Sequence, residues 1–283
     1  MSPEEMQRRV LYRDGLMLVI DKPAGQAVHP GPKGGPSLLD YFDALRFGLP
    51  RSPGLAHRLD RDTSGCLVLG RHRKALAHLG ALFRHGRVRK LYWAVVEGGP
   101  GEDDGTIDLP LGRLDVTRGW WMKPDPNGQP AVTTWRVTGR HPSPAGGGSP
   151  RSGGVGGLEP SKAAPPPGSL RSPPSPASRG RDDLTWLALE PLTGRTHQLR
   201  VHCAAMGWPV VGDAVYGTAP RTGGPPLLLH AREVVVPLSP KREPVQVIAP
   251  VPAHMRAALI ACGWDGEDAA SNEPAPVLST AAP

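Results

Sequence analysis

From His141 to Asp183 the sequence is dominated by Pro, Gly and Ser and holds almost no large apolar side chains. A stretch of that composition cannot bury enough surface to offset the entropy of ordering it, so it is expected to be a disordered insertion. This constrains the fold more than any other feature, because the core has to be assembled from two blocks, one before His141 and one after Asp183. The residues from about Gly263 to Pro283 have the same character and are expected to form a disordered tail. Residues 1–262, interrupted at 141–183, therefore read as one domain, with 263–283 outside it. Neither polar segment is expected to carry chemistry.

Within the two blocks the apolar patterning is clear enough to place elements. Val10–Tyr12 and Leu16–Asp21 read as strands about an Asp14-Gly15 turn. A helix capped by Ser37 is expected through Phe47, with Leu38, Tyr41, Phe42 and Leu45 on one face. Cys66–Leu69 is a short apolar run suited to a buried strand. Lys74–His85 repeats Leu76, Leu79, Leu82 and Phe83 at helical spacing and stops at Gly86. Lys90–Glu97, Thr133–Arg140, Leu184–Glu190, Leu227–Val236 and Val245–Ala249 have the character of strands. Thr196–Met206 and Ala253–Cys262 are expected helices. Without regular βαβ alternation, this order predicts an α+β domain around a mostly antiparallel mixed sheet with flanking helices.

Composition narrows the function classes. The net charge of +7 suits a polyanionic partner, although mild basicity alone does not decide it. Cys66, Cys203 and Cys262 are far apart and form no C-x-x-C pair, which argues against a disulfide framework or structural zinc. No run approaches the roughly 20 apolar residues of a membrane span, and Met1–Arg9 lacks the apolar centre of a secretory signal. A cytoplasmic protein without a membrane is the expectation.

The most unusual segment is His57-Arg-Leu-Asp-Arg-Asp-Thr-Ser-Gly65, which runs straight into the Cys66–Leu69 strand. It sets an acid between cations in a polar loop. Nearby positive charge favours the carboxylate form, so Arg58 and Arg61 are expected to keep Asp60 ionised and fit for nucleophilic or electrostatic work. The spacing Asp60-x-Asp62-x-Ser64-Gly65 begins like a calcium loop, but the twelfth position is Arg71 instead of a bidentate Glu. A capped turn whose Asp bonds only backbone is the plainer alternative.

A second constellation, Leu192-Thr-Gly-Arg-Thr-His-Gln-Leu-Arg-Val-His202, puts His197 and Arg200 on one helical face. His197, His202 and Cys203 do not have metal-site spacing, and the neighbouring Arg residues oppose a cation. An Arg on this helix is suited to hold a carboxylate bidentately. The alternating strand Lys90–Gly98 sets Lys90, Tyr92 and Ala94 on one side, where Tyr92, taken alone, is more often a core residue with a satisfied hydroxyl. Lys22-Pro-Ala-Gly25, taken alone, is an ordinary turn.

Taken together, Lys22–Gly25, His57–Gly65, Lys90–Gly98, Thr193–His202, Gly212-Asp213 with Tyr216-Gly217, and Leu227–Ala231 resemble, in order and separation, the motifs of the RluA-type family of RNA pseudouridine synthases. The resemblance covers nearly all of the chain outside the insertion and tail, and H-R-L-D-x-x-T-S-G is its most specific element. It implies the pseudouridine synthase fold and an isomerase that needs no cofactor and no metal. It further implies structured RNA as the partner, tRNA or rRNA, bound by a monomer without a protein partner.

Residue by residue, the resemblance makes Asp60 the catalytic carboxylate. It makes Arg200 the cation that orients Asp60, and Tyr92 the ring that packs on the target uracil and is a candidate for deprotonating C5. Arg58 matches an Arg that enters the RNA stack where the uridine leaves. Arg61, Arg195 and His197 are expected to contact RNA, and the leucines before His230 to line the base pocket. Many relatives carry a separate N-terminal RNA-binding domain. Here little precedes Val10, so substrate selection is expected to rest on the catalytic domain's own basic surface.

Two other function classes compete. A silent RNA-binding protein on the same fold would have no need of an intact Asp60, Tyr92 and Arg200. A glycoside hydrolase also attacks an anomeric carbon but needs a second acid as proton donor, and Asp62 is the sole neighbour in sequence.

Overall fold

In the computed structural model, which describes residues 1–31, 34–115, 120–141 and 183–268, the chain opens on a short helix, α1 (Pro3–Arg8). A capping box fixes its start: the Ser2 hydroxyl accepts from the Glu5 N–H at 3.2 Å, and the Glu5 carboxylate accepts from the Ser2 N–H at 2.7 Å. The expected hairpin follows as β1 (Val10–Arg13) and β2 (Met17–Lys22). Asp14 Oδ1 fastens its turn by accepting from the Leu16 and Met17 N–H groups at 2.7 Å each. Leu38–Leu45 then winds as a 3₁₀ helix instead of an α-helix. Its start is held by the Asp40 carboxylate, which accepts from the Ser37 N–H at 2.8 Å, and not by the Ser37 hydroxyl. Leu38, Phe42 and Leu45 still point into the core.

The remaining elements of the first block are β3 (Gly54–Leu55), β4 (Ser64–Gly70), α2 (Arg73–Arg84), β5 (Arg89–Glu97), β6 (Asp104–Asp108), β7 (Leu111–Arg113), β8 (Met122–Pro124) and β9 (Val132–His141). The second block supplies β10 (Leu184–Pro191), α3 (Gln198–Ala205), β11 (Leu229–Val236), β12 (Val245–Ile248) and α4 (Ala253–Ala261). The main sheet runs β1-β2-β4-β11-β5-β10-β9-β6, with β3 added to β4 and β12 to β11. Among the described residues every strand pairing is antiparallel except β4 with β11. The α+β architecture is thus as expected.

Two boundaries differ in detail from the sequence expectation. His141 and Leu184 are register partners at one end of the β9–β10 pair, so the Pro/Gly/Ser stretch leaves and rejoins the sheet at one place. Residues 142–182 themselves lie outside the described residues. At the other end, packing does not stop at Cys262. Trp264 is buried against Trp93, and Asp268 pairs with Arg232 at 3.1 Å and Arg256 at 2.7 Å. The packed domain therefore extends at least to Asp268, with Trp264 buried although the composition around it is polar.

One face of the sheet packs Leu18, Ile20, Leu67, Tyr92, Ala94 and Leu187 under the 3₁₀ helix and α3. The opposite face packs β4 and β11 on α2 and β12, and β5 and β10 on α4. The parallel β4–β11 pair fixes where the loop before β4 must end. Gly65 sits there with φ +103°, and a Cβ on it would stand 2.3 Å from the Ala231 carbonyl oxygen. Only glycine fits.

Candidate active site

Asp60 lies in the loop between β3 and β4, and three contacts hold that loop. The His57 ring stacks on Phe83 at 4.3 Å, and its Nε2 accepts from the Val68 N–H at 3.0 Å. Burial pushes this imidazole down to about 3, so it acts as a neutral peg. The Asp60 carbonyl accepts from the Thr63 N–H at 3.3 Å, closing a turn. Beneath the turn lies Lys22, fully buried at the end of β2, whose ammonium donates to the Pro23 and Arg61 carbonyls at 2.7 and 2.8 Å. Burial pulls Lys22 down to about 7, against the opposing pull of Asp62 and Asp60. Lys22-Pro-Ala-Gly25 is therefore more than a turn: its lysine fastens the Asp60 loop to the sheet.

The Thr193–His202 segment is fixed by Gln198. Its amide oxygen accepts from the Thr193 hydroxyl at 2.7 Å and the Arg195 N–H at 3.0 Å. Its amide nitrogen donates to the Val132 carbonyl at 2.9 Å and the Thr133 hydroxyl at 3.0 Å. The loop is thereby tied to β9, and α3 begins at Gln198 instead of Thr196 because His197 stands in the left-handed region at φ 53°. His202 and Cys203 turn into the structure. The His202 ring bonds the Thr133 hydroxyl at 3.0 Å and the Leu109 carbonyl at 3.1 Å.

Arg200 does hold a carboxylate bidentately, but that carboxylate belongs to Asp213. Arg200 Nε and Nη2 each donate to an Asp213 oxygen at 2.7 Å. Both partners are buried. Burial opposes the Asp213 charge, yet Arg200 and the N–H groups of Val215 and Tyr216 outweigh it and hold the carboxyl below its usual range. The remaining guanidinium nitrogen, Nη1, stands 3.9 Å from Asp60 Oδ2. Arg200 thus reaches Asp60 by one corner while its fork is fixed elsewhere.

Asp60, Tyr92 and Arg200 come from a loop, a strand and a helix, and all three line one open cleft of about 650 Å³. That volume suits a single nucleotide. Arg58, Arg195 and His197 share the lining, whereas Arg61 does not: it is 70% exposed and pairs with Asp62 at 3.2 Å. Arg195 Nε donates to the Pro130 carbonyl at 3.0 Å. His197 is not a surface residue; its side chain is 8% exposed and its Nε2 lies 3.8 Å from Asp60 Oδ2. Tyr92 is buried, and burial together with the Asp60 charge pushes its phenol up, so its ring is neutral. Of the leucines before His230, Leu229 lines the cleft. Lys90 lines it too, pulled down to about 8 by burial, with its ammonium donating to the Thr193 carbonyl at 3.2 Å.

Residues 16–205 match the RNA pseudouridylate synthase family. The chain belongs to that family. It is an isomerase of the kind that converts uridine to pseudouridine. An uncharacterized RNA pseudouridine synthase of Zymomonas mobilis is 36% identical over 249 residues, covering 87% of this chain and 95% of that one. The ribosomal large subunit pseudouridine synthase C of Vibrio cholerae is 32% identical over 266 residues, covering 90% and 69%. The solved structure of human RNA pseudouridylate synthase domain containing 1 superposes with a TM-score of 0.62 at 26% identity, covering 89% of this chain and 86% of that one.

Proposed function

We propose that this enzyme isomerises a uridine of structured RNA with Asp60 as its reacting carboxylate. The observation that carries the reading is the meeting of Asp60, Tyr92 and Arg200 in one basic cleft large enough for a nucleotide. Because the reacting atoms of a paired uridine are hidden in a helix, the nucleotide has to flip out to reach Asp60, at a cost of roughly a few kcal/mol. Arg58 and Arg195 at the cleft supply positive charge for the phosphate backbone.

The N1–C1′ bond breaks with its electron pair leaving on the uracil. Asp60 either bonds C1′ or removes the 2′ proton, and both routes need the same carboxylate oxygen within reach of the sugar. Tyr92 offers a flat neutral ring against the freed base while it turns. C5 then bonds C1′ as Asp60 either leaves C1′ or returns the proton to C2′, and C5 loses its proton while N1 gains one. Atoms and charge balance without an oxidant or a cofactor. The Vibrio relatives named for the large ribosomal subunit support ribosomal RNA as the first substrate to test, ahead of tRNA.

The test is purified protein on an unmodified large-subunit rRNA transcript and on bulk unmodified tRNA, with pseudouridine mapped by carbodiimide block of reverse transcription. Conversion is expected in at least one pool and to persist in EDTA. Asp60→Asn keeps the shape and removes the charge; it is expected to abolish turnover while RNA binding stays within a few-fold. Residual activity of a tenth would rule out Asp60 as the reacting group.

A further inference from the structure

We infer that His197 and Tyr216 are a positioning pair that sets which oxygen of Asp60 faces the substrate, a conclusion that rests on Asp60 being the reacting carboxylate. The geometry is a chain of fixed contacts. The Met122 N–H donates to the Tyr216 hydroxyl oxygen at 3.0 Å, and that hydroxyl lies 2.7 Å from His197 Nδ1. As part of the same inference we assign the hydroxyl's own proton to Nδ1, the tautomer favoured by the Asp60 carboxylate facing Nε2. The imidazole proton is then on Nε2, which stands 3.8 Å from Asp60 Oδ2.

The ring is held as well as the proton. Tyr216 meets it edge-on at 5.5 Å on one side and Trp120 at 5.5 Å on another, and the His197 backbone adopts φ 53°, a conformation few residues other than glycine take. Strain of that kind persists where the surroundings over-determine it. Tyr216 is itself fixed, since its N–H donates to Asp213 Oδ1 at 3.0 Å and the Arg200 guanidinium lies over its ring at 5.2 Å.

His197 Nε2 and Arg200 Nη1 approach the same Asp60 oxygen, Oδ2, at 3.8 and 3.9 Å. Two donors on Oδ2 orient the carboxylate so that Oδ1 is presented to the sugar. Both contacts are longer than hydrogen bonds, as contacts of this kind often are before substrate tightens them. His197 therefore belongs to the carboxylate and not to the RNA backbone.

His197→Asn separates the two roles. Asn tolerates the left-handed backbone and keeps a polar group near Nδ1 for Tyr216, but it ends short of Asp60. It is expected to fold, to lower kcat at least tenfold on the RNA that wild type modifies, and to leave the RNA Kd within twofold. His197→Gln restores a donor at the Nε2 position and is expected to recover part of kcat. Tyr216→Phe deletes one hydroxyl and is expected to lower kcat several-fold, and the double variant Y216F/H197N to fall no further than H197N, because Tyr216 acts through His197. A kcat within twofold of wild type in H197N, a weakened Kd with kcat intact, or strictly additive losses would each overturn the pairing. Wild type that converts no uridine in any RNA pool would instead sink the Asp60 reading on which it stands.

Discussion

Replacing Asp213 by Asn should unlock the site more severely than its distance from the substrate suggests. Asp213 Oδ1 accepts from Arg200 Nη2 and from the Val215 and Tyr216 N–H groups, while Oδ2 accepts from Arg200 Nε. An Asn that keeps its oxygen at Oδ1 sets its NH₂ against Arg200 Nε–H, donor facing donor at a site where the two acceptable atoms now stand 2.7 Å apart. The Arg200 charge is then buried without the partner of its fork and is left to the more distant Asp60 carboxylate, 3.9 Å from Nη1 in the wild-type site. Breaking one side of a buried pair costs about 3–5 kcal/mol, which for a domain of this size lowers Tm by roughly 6–20 °C. Thermal and guanidinium unfolding of D213N against wild type measures it, alongside kcat. The double variant R200M/D213N removes the stranded charge and keeps the Oδ1 acceptor, so it should regain most of the lost Tm while remaining inactive. A D213N melt within 2 °C of wild type, or a double variant no more stable than the single, would refute the account of Asp213 as the anchor of Arg200.

Gly65→Ala sets a Cβ 2.3 Å from the Ala231 carbonyl oxygen at φ +103°; clash and strain together should cost about 2–5 kcal/mol, read by urea unfolding. Stability should also fall on acidification below pH 6.5. His57 and His230, both pushed down to about 3 by burial, stay neutral in the fold while the unfolded chain takes up protons. From pH 6.5 to 5 each contributes up to about 2 kcal/mol of loss. Asp21, raised to about 6 by burial, gives back about 1 kcal/mol between pH 6 and 5, since a raised carboxyl is most favourable in the fold at low pH. Denaturant midpoints at pH 7 and 5 check the sign, and a higher midpoint at pH 5 contradicts it. Deleting residues 142–182 and joining His141 to Asp183 by a short glycine turn should leave Tm within about 5 °C and turnover within a few-fold, because the flanking residues are already paired across β9 and β10. An unfolded product would show that the stretch is structural.

What was legible in the sequence follows from how each signal is encoded. The main strands and helices announced themselves because Cys66–Leu69, Lys90–Glu97 and the α2 leucines carry dense apolar patterns. Strands β6 to β8 did not, since Asp104–Asp108 buries Ile107 alone and β7 and β8 are three residues each. Helix α1 was readable in principle, as Ser2-Pro-Glu-Glu5 is a capping box with proline at the first turn. At the site, the unusual run around Asp60 exposed itself by residue type. Lys22 and Asp213 did not, because each acts through partners distant in the chain: the Lys22 ammonium reaches the Arg61 carbonyl, and Asp213 receives a guanidinium from α3. Tertiary structure alone reveals such pairings. The resemblance sets His197 among the residues expected to contact RNA, while the left-handed backbone that brings it to 3.8 Å from Asp60 leaves no mark in composition.

If Asp60 is the reacting carboxylate, as proposed, the arrangement of cations around it makes Asp213 matter to chemistry as well as to stability. A carboxylate gripped bidentately by a guanidinium is well oriented, yet both oxygens are engaged and its charge is largely satisfied, which makes it a poor nucleophile or base. Here three cations near the loop are engaged elsewhere: Arg61 with Asp62, Lys22 with two carbonyls, and the Arg200 fork with Asp213. Among the described residues Arg200 approaches Asp60 through Nη1, from 3.9 Å, beside His197 Nε2 at 3.8 Å. On the proposal that Asp60 is the reacting acid, Asp213 would act as a decoy carboxylate that satisfies Arg200 and keeps its fork from closing on Asp60. It follows that D213N should lose activity even though Arg200 becomes free to approach Asp60 more closely. In D213N the short Arg200–Asp60 pair and the lost turnover should appear together, whereas a variant with a shorter pair and undiminished kcat would show that an engaged carboxylate serves as well as a free one.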